Sequence, residues 1–491
     1  MEVVPLFSMI IGFLLIGVPI AVALGMSSVL FLLRFSESSL ASVAQTHFAA
    51  FEGHFTLLAI PFFILASSLM TTGGVARRII RFSIACVGHF PGGLAIVGVF
   101  ARMLIAALSG SSPATVVAIG TIVITGMRQA GYSKEFAAGV ICNASTLGIL
   151  IPSSIVMVVY AASVEVSVGR MFSAGVLPGL VAGFMPMVTI YVIAKVQNLP
   201  KGEWQEGTEV IASGREAGWG IFLIIIILGG IYSGIFTPTE AAAVAAVYAF
   251  VIATFVYKDM GPLSAPRAQS LSAASVLENS PHGDIVPLMR TPWAVVTALV
   301  HPDTQRTLLD AGKLTVTLLL IIANVLILKH VLTEKQIPQQ VADAMLSAGL
   351  EPVMFLVVVN IILLIGGHFM EPSGLLVIVA LLVFPMAIEL GIDPIHLGII
   401  MVVNMEIGMI TPPSGSNLFV TSGVAGMPMM RVVWAALPFF AVLFVFLIIV
   451  AYVPWISTFL PNPFMGPEII TKLPVRRQGF WDRWRPELSE G

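Results

Sequence analysis

The chain has 491 residues, of which 57% are hydrophobic and only 10% are charged, and its net charge is −2. Soluble domains carry about 25% charged residues, so this composition excludes a water-soluble globular protein. The nearly balanced charge provides no basic surface for a nucleic acid. Two isolated cysteines, Cys86 and Cys142, give neither a disulfide framework nor a metal-binding spacing.

Apolar runs long enough for a membrane-spanning helix, about 20 residues, recur along the chain. They are continuous rather than alternating, which favours helices over the strands of an outer-membrane barrel. Several are long enough for two passes, so we predict an all-α polytopic membrane protein with about ten to thirteen membrane segments. The runs cover, in chain order, residues 4–33, 55–71, 92–127, 136–162, 171–196, 217–257, 314–332, 352–391, 395–425 and 431–459.

Two hydrophilic stretches divide the apolar sequence. Residues 258–312 are rich in Ser, Ala, Pro and charged side chains and are predicted to be a linker. Residues 461–491 form a polar tail. The predicted organisation is therefore a first membrane half (1–257), a linker (258–312), a second membrane half (313–460) and the tail.

Three arginines, Arg77, Arg78 and Arg81, follow the second apolar run. The positive-inside rule would place them in the cytoplasm. An amphipathic arm helix on the membrane surface is the alternative, and the sequence leaves both open.

The two halves contain related sequences. "GYSKEFAAGVICNASTLGILIPSS" begins at Gly131 and "GIDPIHLGIIMVVNMEIGMITPPS" begins at Gly391, an offset of 260 residues (391 − 131). Each is preceded by another interrupted stretch, "ALSGSSPATVVAIG" (107–120) and "GGHFMEPSGLLVIVA" (366–380). Each half is therefore predicted to contain two interrupted segments. The offset aligns Gly148 with Gly408, Pro152 with Pro412, and Ser154 with Ser414.

Helix interruptions within a bilayer need a physical explanation, because every backbone N–H and C=O there must find a partner inside the protein. A proline in mid-helix costs about 3 kcal/mol or more, and Pro412 and Pro413 follow one another. A Na⁺ ion held by the freed carbonyls and by nearby hydroxyls would offset this cost, while N–H groups at the start of the next half-helix can face an anion. Matched broken segments in two halves are typical of secondary transporters.

The chain resembles the large membrane subunit of tripartite ATP-independent periplasmic (TRAP) transporters, the DctM-like permeases, over nearly its whole length apart from linker and tail. The resemblance rests on "LLAIPFFILASSLM" (57–70), the stretches 107–120 and 131–161, "GIFTPTEAAAVAAVYA" (234–249) and "MEIGMITPPSGSNLFVTSG" (405–423). Two features depart from the family. The linker is longer than usual, and the first half reads "IPSS" where members more often have "IPPS".

The resemblance implies an inverted-repeat, elevator-type transporter with two re-entrant hairpins and two broken helices, driven by a Na⁺ gradient in the bacterial inner membrane. A small four-helix membrane subunit and a periplasmic substrate-binding protein are the implied partners. The hairpin tips would be residues 109–112 and 371–374, and the broken helices would run over 145–154 and 404–417.

Site residues follow from the same resemblance. One Na⁺ would lie among Gly367, Gly408, Thr411 and Ser414, and a second among Ser109, Ser112, Gly148, Ile151 and Ser154. The substrate, a small organic acid, would contact polar groups near the breaks, namely Ser111, Asn143, Thr146, Glu371, Asn404 and Asn417. Glu371 and Glu406 can instead serve as structural partners of loop N–H groups.

The sequence also bears on competing functions. It contains no GxxxxGK[ST] phosphate loop, so no nucleotide is expected. No arrangement of catalytic side chains is evident, so the chain is not predicted to be an enzyme. A stand-alone Na⁺/anion symporter of similar architecture, working without a binding protein, remains the alternative to the tripartite system. The sequence leaves the substrate open among dicarboxylates, keto acids, sugar acids and polyols.

Overall fold

The computed structural model describes residues 3–35, 45, 55–72, 74–109, 112–261, 297–347, 349, 351–368, 370–412 and 415–466. These residues are almost entirely helical. The first set of helices is α1 (Val3–Leu15), α2 (Ile20–Phe35), α3 (Ala59–Thr72), α4 (Val75–Val87), α5 (Gly93–Ser109), α6 (Ser112–Gln129), α7 (Lys134–Ala144), α8 (Ile155–Val164), α9 (Val168–Val196), α10 (Gly207–Tyr232) and α11 (Pro238–Val251). Short 3₁₀ helices, Phe55–Leu58 and Ser145–Ile149, precede α3 and follow α7, and α11 ends in a π-helical turn, Ile252–Val256.

The second set follows the predicted linker. It is α12 (Pro302–Glu334), α13 (Ile337–Ser347), α14 (Pro352–Gly367), α15 (Pro372–Glu389), α16 (Pro394–Gly408), α17 (Ser416–Ala425), α18 (Met429–Tyr452), α19 (Trp455–Thr458) and α20 (Pro461–Met465). Most of the linker, 262–296, and most of the tail, 467–491, lie outside the described residues. The last part of the predicted linker belongs to α12, because Pro302 is a favourable first residue and the His301 ring caps the helix.

Six helices within the described ranges are long and apolar enough to cross a bilayer, namely α9, α10, α11 with its π turn, α12, α15 and α18. Several other apolar helices have only 10–17 residues. Six is fewer than the ten to thirteen membrane segments predicted from the sequence. The interrupted segments account for part of this difference, because each of them divides a membrane-length apolar run into two shorter helices. The range of ten to thirteen segments counted apolar runs rather than continuous helices, and it stays a prediction.

Helix α4 leaves α3 at an angle of 68° and is amphipathic. Its apolar face is buried, whereas Arg81 on the opposite face contacts Glu209 of α10 at 2.8 Å and Glu216 at 3.0 Å. Arg78 pairs with Asp259 and lies 3.9 Å from the centre of the Tyr257 ring. This geometry favours the arm-helix interpretation of the arginine cluster.

The helices pack in two groups. In the first, α1 packs on α2, α2 and α3 pack on α12, and α11 packs on α3 and α10. The second contains α5 to α9 and α14 to α18, with α7 against α18 and α14 against α16. Helix α5 contacts α3 and α4, and α15 contacts α12 and α13, so these contacts join the groups. All four interrupted stretches belong to the second group.

The internal repeat extends to helix boundaries. Helix α15 begins and ends 260 residues after α6, and α16 begins 260 residues after α7. The turns before α7 and α16 also correspond, because Gly131 and Gly391 both adopt left-handed backbone conformations, with φ of +90° and +75°. Ser133 and Asp393, again 260 residues apart, are the N-caps of α7 and α16.

Removing the second of these caps should destabilise α16. The Asp393 Oδ1 atom accepts hydrogen bonds from the N–H groups of Ile395 (2.8 Å) and His396 (3.1 Å). We expect Asp393→Ala to lower the free energy of unfolding by about 1 kcal/mol, measured as a lower melting temperature in detergent. Asp393→Asn keeps the acceptor oxygen and is the matched control. Equal losses in both variants would show that the stability comes from the carboxylate charge and not from the capping hydrogen bonds.

Candidate functional site

Two helical hairpins lie beside the broken helices. In the first, a methyl group added at Gly98 of α5 would lie 3.1 Å from the Cγ1 atom of Val123 of α6, so the two arms run antiparallel. Ser109 ends α5 and Ser112 begins α6, while the predicted substrate residue Ser111 lies outside the described residues. In the second, a methyl group at Gly366 of α14 would lie 2.7 Å from the Cδ1 atom of Leu375 of α15. In each pair, one helix therefore ends and the next begins within the interruption that the sequence predicts.

The tip of the second hairpin is organised by Glu371, the N-cap of α15. Its Oε2 atom accepts hydrogen bonds from the N–H groups of Ser373 (3.0 Å) and Gly374 (3.3 Å), and its Oε1 atom accepts one from the Ser373 hydroxyl (2.9 Å). Both carboxylate oxygens are thus engaged in capping. This is the structural role that the sequence left open for this glutamate, and contact with a substrate stays a prediction.

The first break lies between α7 and α8. After Ala144 the chain forms the 3₁₀ turn, and α8 begins at Ile155 with Ser154 as its N-cap. The Ile151 N–H donates to the carbonyl of Leu147 at 3.4 Å, and the Met157 N–H donates to the Ser154 hydroxyl at 3.4 Å. Three of the predicted Na⁺ ligands, Gly148, Ile151 and Ser154, therefore lie on the unwound segment or at its end.

Ser153 connects this break to the first hairpin. Its hydroxyl donates to the carbonyl of Ala107, near the end of α5, at 2.9 Å. Its φ is +80°, a left-handed conformation that non-glycine residues seldom adopt. A proline ring fixes φ near −65°, so the family-typical proline would require a different backbone at this position.

The second break lies between α16 and α17. Helix α16 continues through Asn404 and Glu406 and ends at Gly408, four residues later than the predicted start of the break. The reason is the position of the prolines. In an α-helix each carbonyl accepts a hydrogen bond from the N–H group four residues later, and Pro412 has no N–H group to donate to the Gly408 carbonyl. The Gly408 carbonyl instead accepts from the Thr411 N–H (3.2 Å), and that of Met409 accepts from the Asn417 N–H (3.1 Å).

Gly367, at the end of α14, faces Gly408 at the end of α16. A methyl group added at Gly408 would lie 3.0 Å from the Cα atom and 3.3 Å from the carbonyl oxygen of Gly367. The Thr411 hydroxyl donates to the Ile407 carbonyl at 2.5 Å, which leaves its oxygen lone pairs available to another partner. Three of the four predicted ligands of the first Na⁺ thus lie together, and the fourth, Ser414, is outside the described part of the chain.

The predicted substrate residues Asn143, Thr146, Asn404 and Asn417 are buried. The Thr146 hydroxyl donates to the Asn143 carbonyl at 2.8 Å, whereas neither amide atom of the Asn143 side chain has a hydrogen-bond partner among the described residues. These side chains are therefore not accessible from the surface, and their contact with a substrate stays a prediction.

Asn360 and Arg102, which the sequence analysis did not single out, each join a hairpin to a broken helix. Asn404 donates from Nδ2 to the Oδ1 atom of Asn360 on α14 at 2.8 Å, and to its carbonyl at 3.0 Å. Arg102 of α5 donates from Nη2 to the carbonyl of Ser145 at 2.8 Å. A polar residue within an apolar, membrane-length run was the signal available for both.

Comparison with known proteins gives consistent matches. The profile of the family described as "Tripartite ATP-independent periplasmic transporter, DctM component" matches residues 7–456. The C4-dicarboxylate TRAP transporter large permease protein DctM of Vibrio cholerae is 66% identical over 472 residues, which cover 96% of this chain and 100% of the relative. The protein of the same name from Pseudomonas aeruginosa is 55% identical and is covered to 94%.

A solved structure also shares the fold. The YdaH transporter of Alcanivorax borkumensis, whose crystal structure is described as revealing an unusual topology, matches 92% of this chain and 98% of its own length. The TM-score is 0.53 at 14% sequence identity. At this identity the match supports an all-helical, multi-span membrane fold and nothing finer.

Proposed function

The chain belongs to the DctM component family of tripartite ATP-independent periplasmic transporters, and we propose that it is the large membrane subunit of a Na⁺-coupled importer of C4-dicarboxylates. It is a multi-pass protein of the bacterial inner membrane and not an enzyme. The substrate class comes from the printed names of the two relatives at 66% and 55% identity. Buried amide and hydroxyl groups near two helix breaks suit carboxylate groups, which accept hydrogen bonds.

The Na⁺ proposal rests mainly on one observation, the close approach of Gly367 and Gly408 beside Thr411. Two glycines allow the C-terminal ends of α14 and α16 to meet, and these ends carry partial negative charge from their carbonyls. A Thr oxygen with free lone pairs completes a group of oxygens, as a hard cation requires. The carbonyls of Gly408 and Met409 already accept backbone N–H groups, but each has a second lone pair for an ion.

The transport mechanism that fits this arrangement is an elevator. The hairpins and broken helices form one packed group, and the group of α1, α2, α3, α10, α11 and α12 would remain as scaffold. Residues 262–296 would then connect two inverted halves. A small four-helix subunit would pack against the scaffold, and a periplasmic binding protein would deliver the substrate.

Reconstitution tests this proposal. The chain would be placed in proteoliposomes with the small membrane subunit and the binding protein, and uptake of labelled succinate would be measured with and without an inward Na⁺ gradient. We expect uptake only with the gradient and with both partners. Uptake by this chain alone would favour the stand-alone symporter, and uptake that is indifferent to Na⁺ would refute the coupling.

Thr411→Ala should weaken the Na⁺ response. Losing one interaction with a charged group costs about 1.5–3 kcal/mol, so the half-saturating Na⁺ concentration for uptake should rise at least about tenfold. Thr411→Ser retains the hydroxyl and should respond nearly as the wild type does. An unchanged Na⁺ response in Thr411→Ala would remove this residue from the ion site.

A further inference from the structure

Lys329 is a charged side chain near the end of α12, a helix of the scaffold. It is the only Lys, Arg, Asp or Glu between residues 314 and 332. A lysine near the end of a membrane helix usually extends its ammonium group into the interfacial water. The side chain of Lys329 is only 29% exposed, so contacts within the protein must compensate for part of its lost hydration.

Two hydrogen bonds from the Lys329 ammonium cross from the scaffold to the other packed group. The Nζ atom donates to the Ser163 carbonyl at 3.2 Å and to the Oε1 atom of Glu165 at 3.0 Å. Ser163 lies in the last turn of α8, where a cation is favourable because the carbonyls carry partial negative charge. Glu165 directly follows this helix and has a left-handed backbone, with φ of +61°. Lys329 therefore binds both the end of α8 and the residue that caps it.

Helix α8 connects these contacts to the first break. It has ten residues, Ile155–Val164, and Ser154, a predicted Na⁺ ligand, is its N-cap at the opposite end. If the first break moves together with α8, Ser163 and Glu165 move as well. A displacement of one helical turn, about 5.4 Å, would separate them from Lys329 beyond hydrogen-bond distance. The contacts of Lys329 therefore exist in only one relative position of the two groups.

Apolar contacts between the two groups behave differently. A methyl group added at Gly374 of α15 would lie 2.8 Å from the Cδ1 atom of Ile20 on α2 and 3.8 Å from the Cγ2 atom of Ile321 on α12. Apolar contacts are non-directional, so other apolar side chains can replace them after the helices slide. The ammonium contacts need specific oxygen atoms at short distance, and they therefore favour one position over the others.

We propose that Lys329, Glu165 and the Ser163 carbonyl form a latch between the scaffold and the group of α5 to α9 and α14 to α18. The latch holds the two groups in the conformation of this structure and opens in each transport cycle. Its side chains are 29% and 61% exposed, so water can hydrate both charges once they separate. A fully buried pair would be far more costly to open. The latch rests on the proposed elevator mechanism.

A reversible cross-link provides the first test. Glu165→Cys and Lys329→Cys are combined in a chain whose two free cysteines, Cys86 and Cys142, are replaced by alanine. A short bis-methanethiosulfonate reagent then joins positions 165 and 329 through disulfides. We expect cross-linking to abolish succinate uptake in the reconstituted system, because the groups can no longer separate at this point. Dithiothreitol should restore uptake.

The matched control is a cross-link within the scaffold. The Lys335 Nζ atom donates to the Phe35 carbonyl at 2.6 Å, and these residues lie at the ends of α12 and α2. Joining Phe35→Cys to Lys335→Cys with the same reagent should leave uptake unchanged. Full uptake with positions 165 and 329 joined would overturn the latch. Loss of uptake with both cross-links would also overturn it, because the loss would not come from holding the two groups together.

Spin-label distances test the latch without transport. Labels at Thr333→Cys on α12 and Glu389→Cys at the end of α15 occupy exposed positions in the two groups. Double electron–electron resonance should give two distances, one for each position of the groups. Lys329→Gln should lower the population of the present conformation relative to the other about threefold to fivefold. Lys329→Arg keeps the charge and the donors, and Lys335→Gln changes only the scaffold, so both should match the wild type.

Failure of the latch is distinguishable from failure of the proposed function. If the wild type takes up no succinate, the proposed function is refuted, and the spin-label distances still judge the latch. Two distances with an unchanged ratio in Lys329→Gln overturn the latch and leave the elevator intact. A single distance, the same in every variant, means that the groups do not move, and it refutes the elevator and the latch together.

Discussion

Replacing Gly139 with alanine should destabilise the protein by about 3 kcal/mol, because the added methyl group has no space. Gly139 lies on α7, and this methyl group would be 2.3 Å from the carbonyl oxygen of Ala435 and 3.1 Å from the nitrogen of Ala436 on α18. Both atoms belong to a helix backbone, which cannot rotate away as a side chain can. Helices α7 and α18 would have to separate, and α7 carries the first break at its end. We expect a lower melting temperature in detergent and a loss of uptake.

Two other glycine substitutions serve as controls for Gly139→Ala. A methyl group at Gly183 would lie 2.1 Å from the Met103 sulfur, which belongs to a flexible side chain that can move. A methyl group at Gly126 would meet no atom within 4 Å. The expected order of stability is therefore Gly126→Ala above Gly183→Ala above Gly139→Ala. If Gly139→Ala has the same melting temperature as Gly126→Ala, the close contact of α7 and α18 does not exist.

The presence of a helix break in each half was predictable because it follows from local chemistry, although α16 ends four residues later than the predicted start of its break. A glycine at positive φ before α7 and another before α16, each followed by a capping side chain, mark helix starts in both halves. Pro412 removes one specific donor and thereby ends α16 at Gly408. Rules of this kind depend on a few neighbouring residues, so a single sequence contains them. The family could also be recognised from the sequence motifs, and the profile match over residues 7–456 confirms it.

Contacts between distant segments were not predictable in the same way. Arg102 and Ser145, like Asn360 and Asn404, are paired by the packing of a hairpin arm against a broken helix. The sequence shows a polar residue within each apolar run, but it does not show which residue is its hydrogen-bond partner. The left-handed conformation of Ser153 is equally invisible, since only the surrounding contacts hold a serine there.

Gly415→Ala should disrupt the second break. Gly415 precedes α17 and adopts φ of −52°, which alanine tolerates, so the expected effect is purely steric. The methyl group would lie 2.7 Å from the Met409 carbonyl oxygen and 2.9 Å from that of Thr411. These carbonyls accept hydrogen bonds from the Asn417 and Gly415 N–H groups, and the clash would strain both bonds. We expect a loss of about 2–4 kcal/mol in the free energy of unfolding.

The same substitution should also weaken the Na⁺ response, because the strained loop contains Thr411. Gly423→Ala is the matched control: Gly423 lies on α17, the helix that Gly415 precedes, and the added methyl group would meet nothing within 4 Å. It should leave uptake unchanged and raise the melting temperature slightly, since alanine favours helix over glycine by about 1 kcal/mol. A Gly415→Ala variant with wild-type stability and Na⁺ dependence would mean that the loop is not closed by its own carbonyls, and the ion site built on it would lose its support.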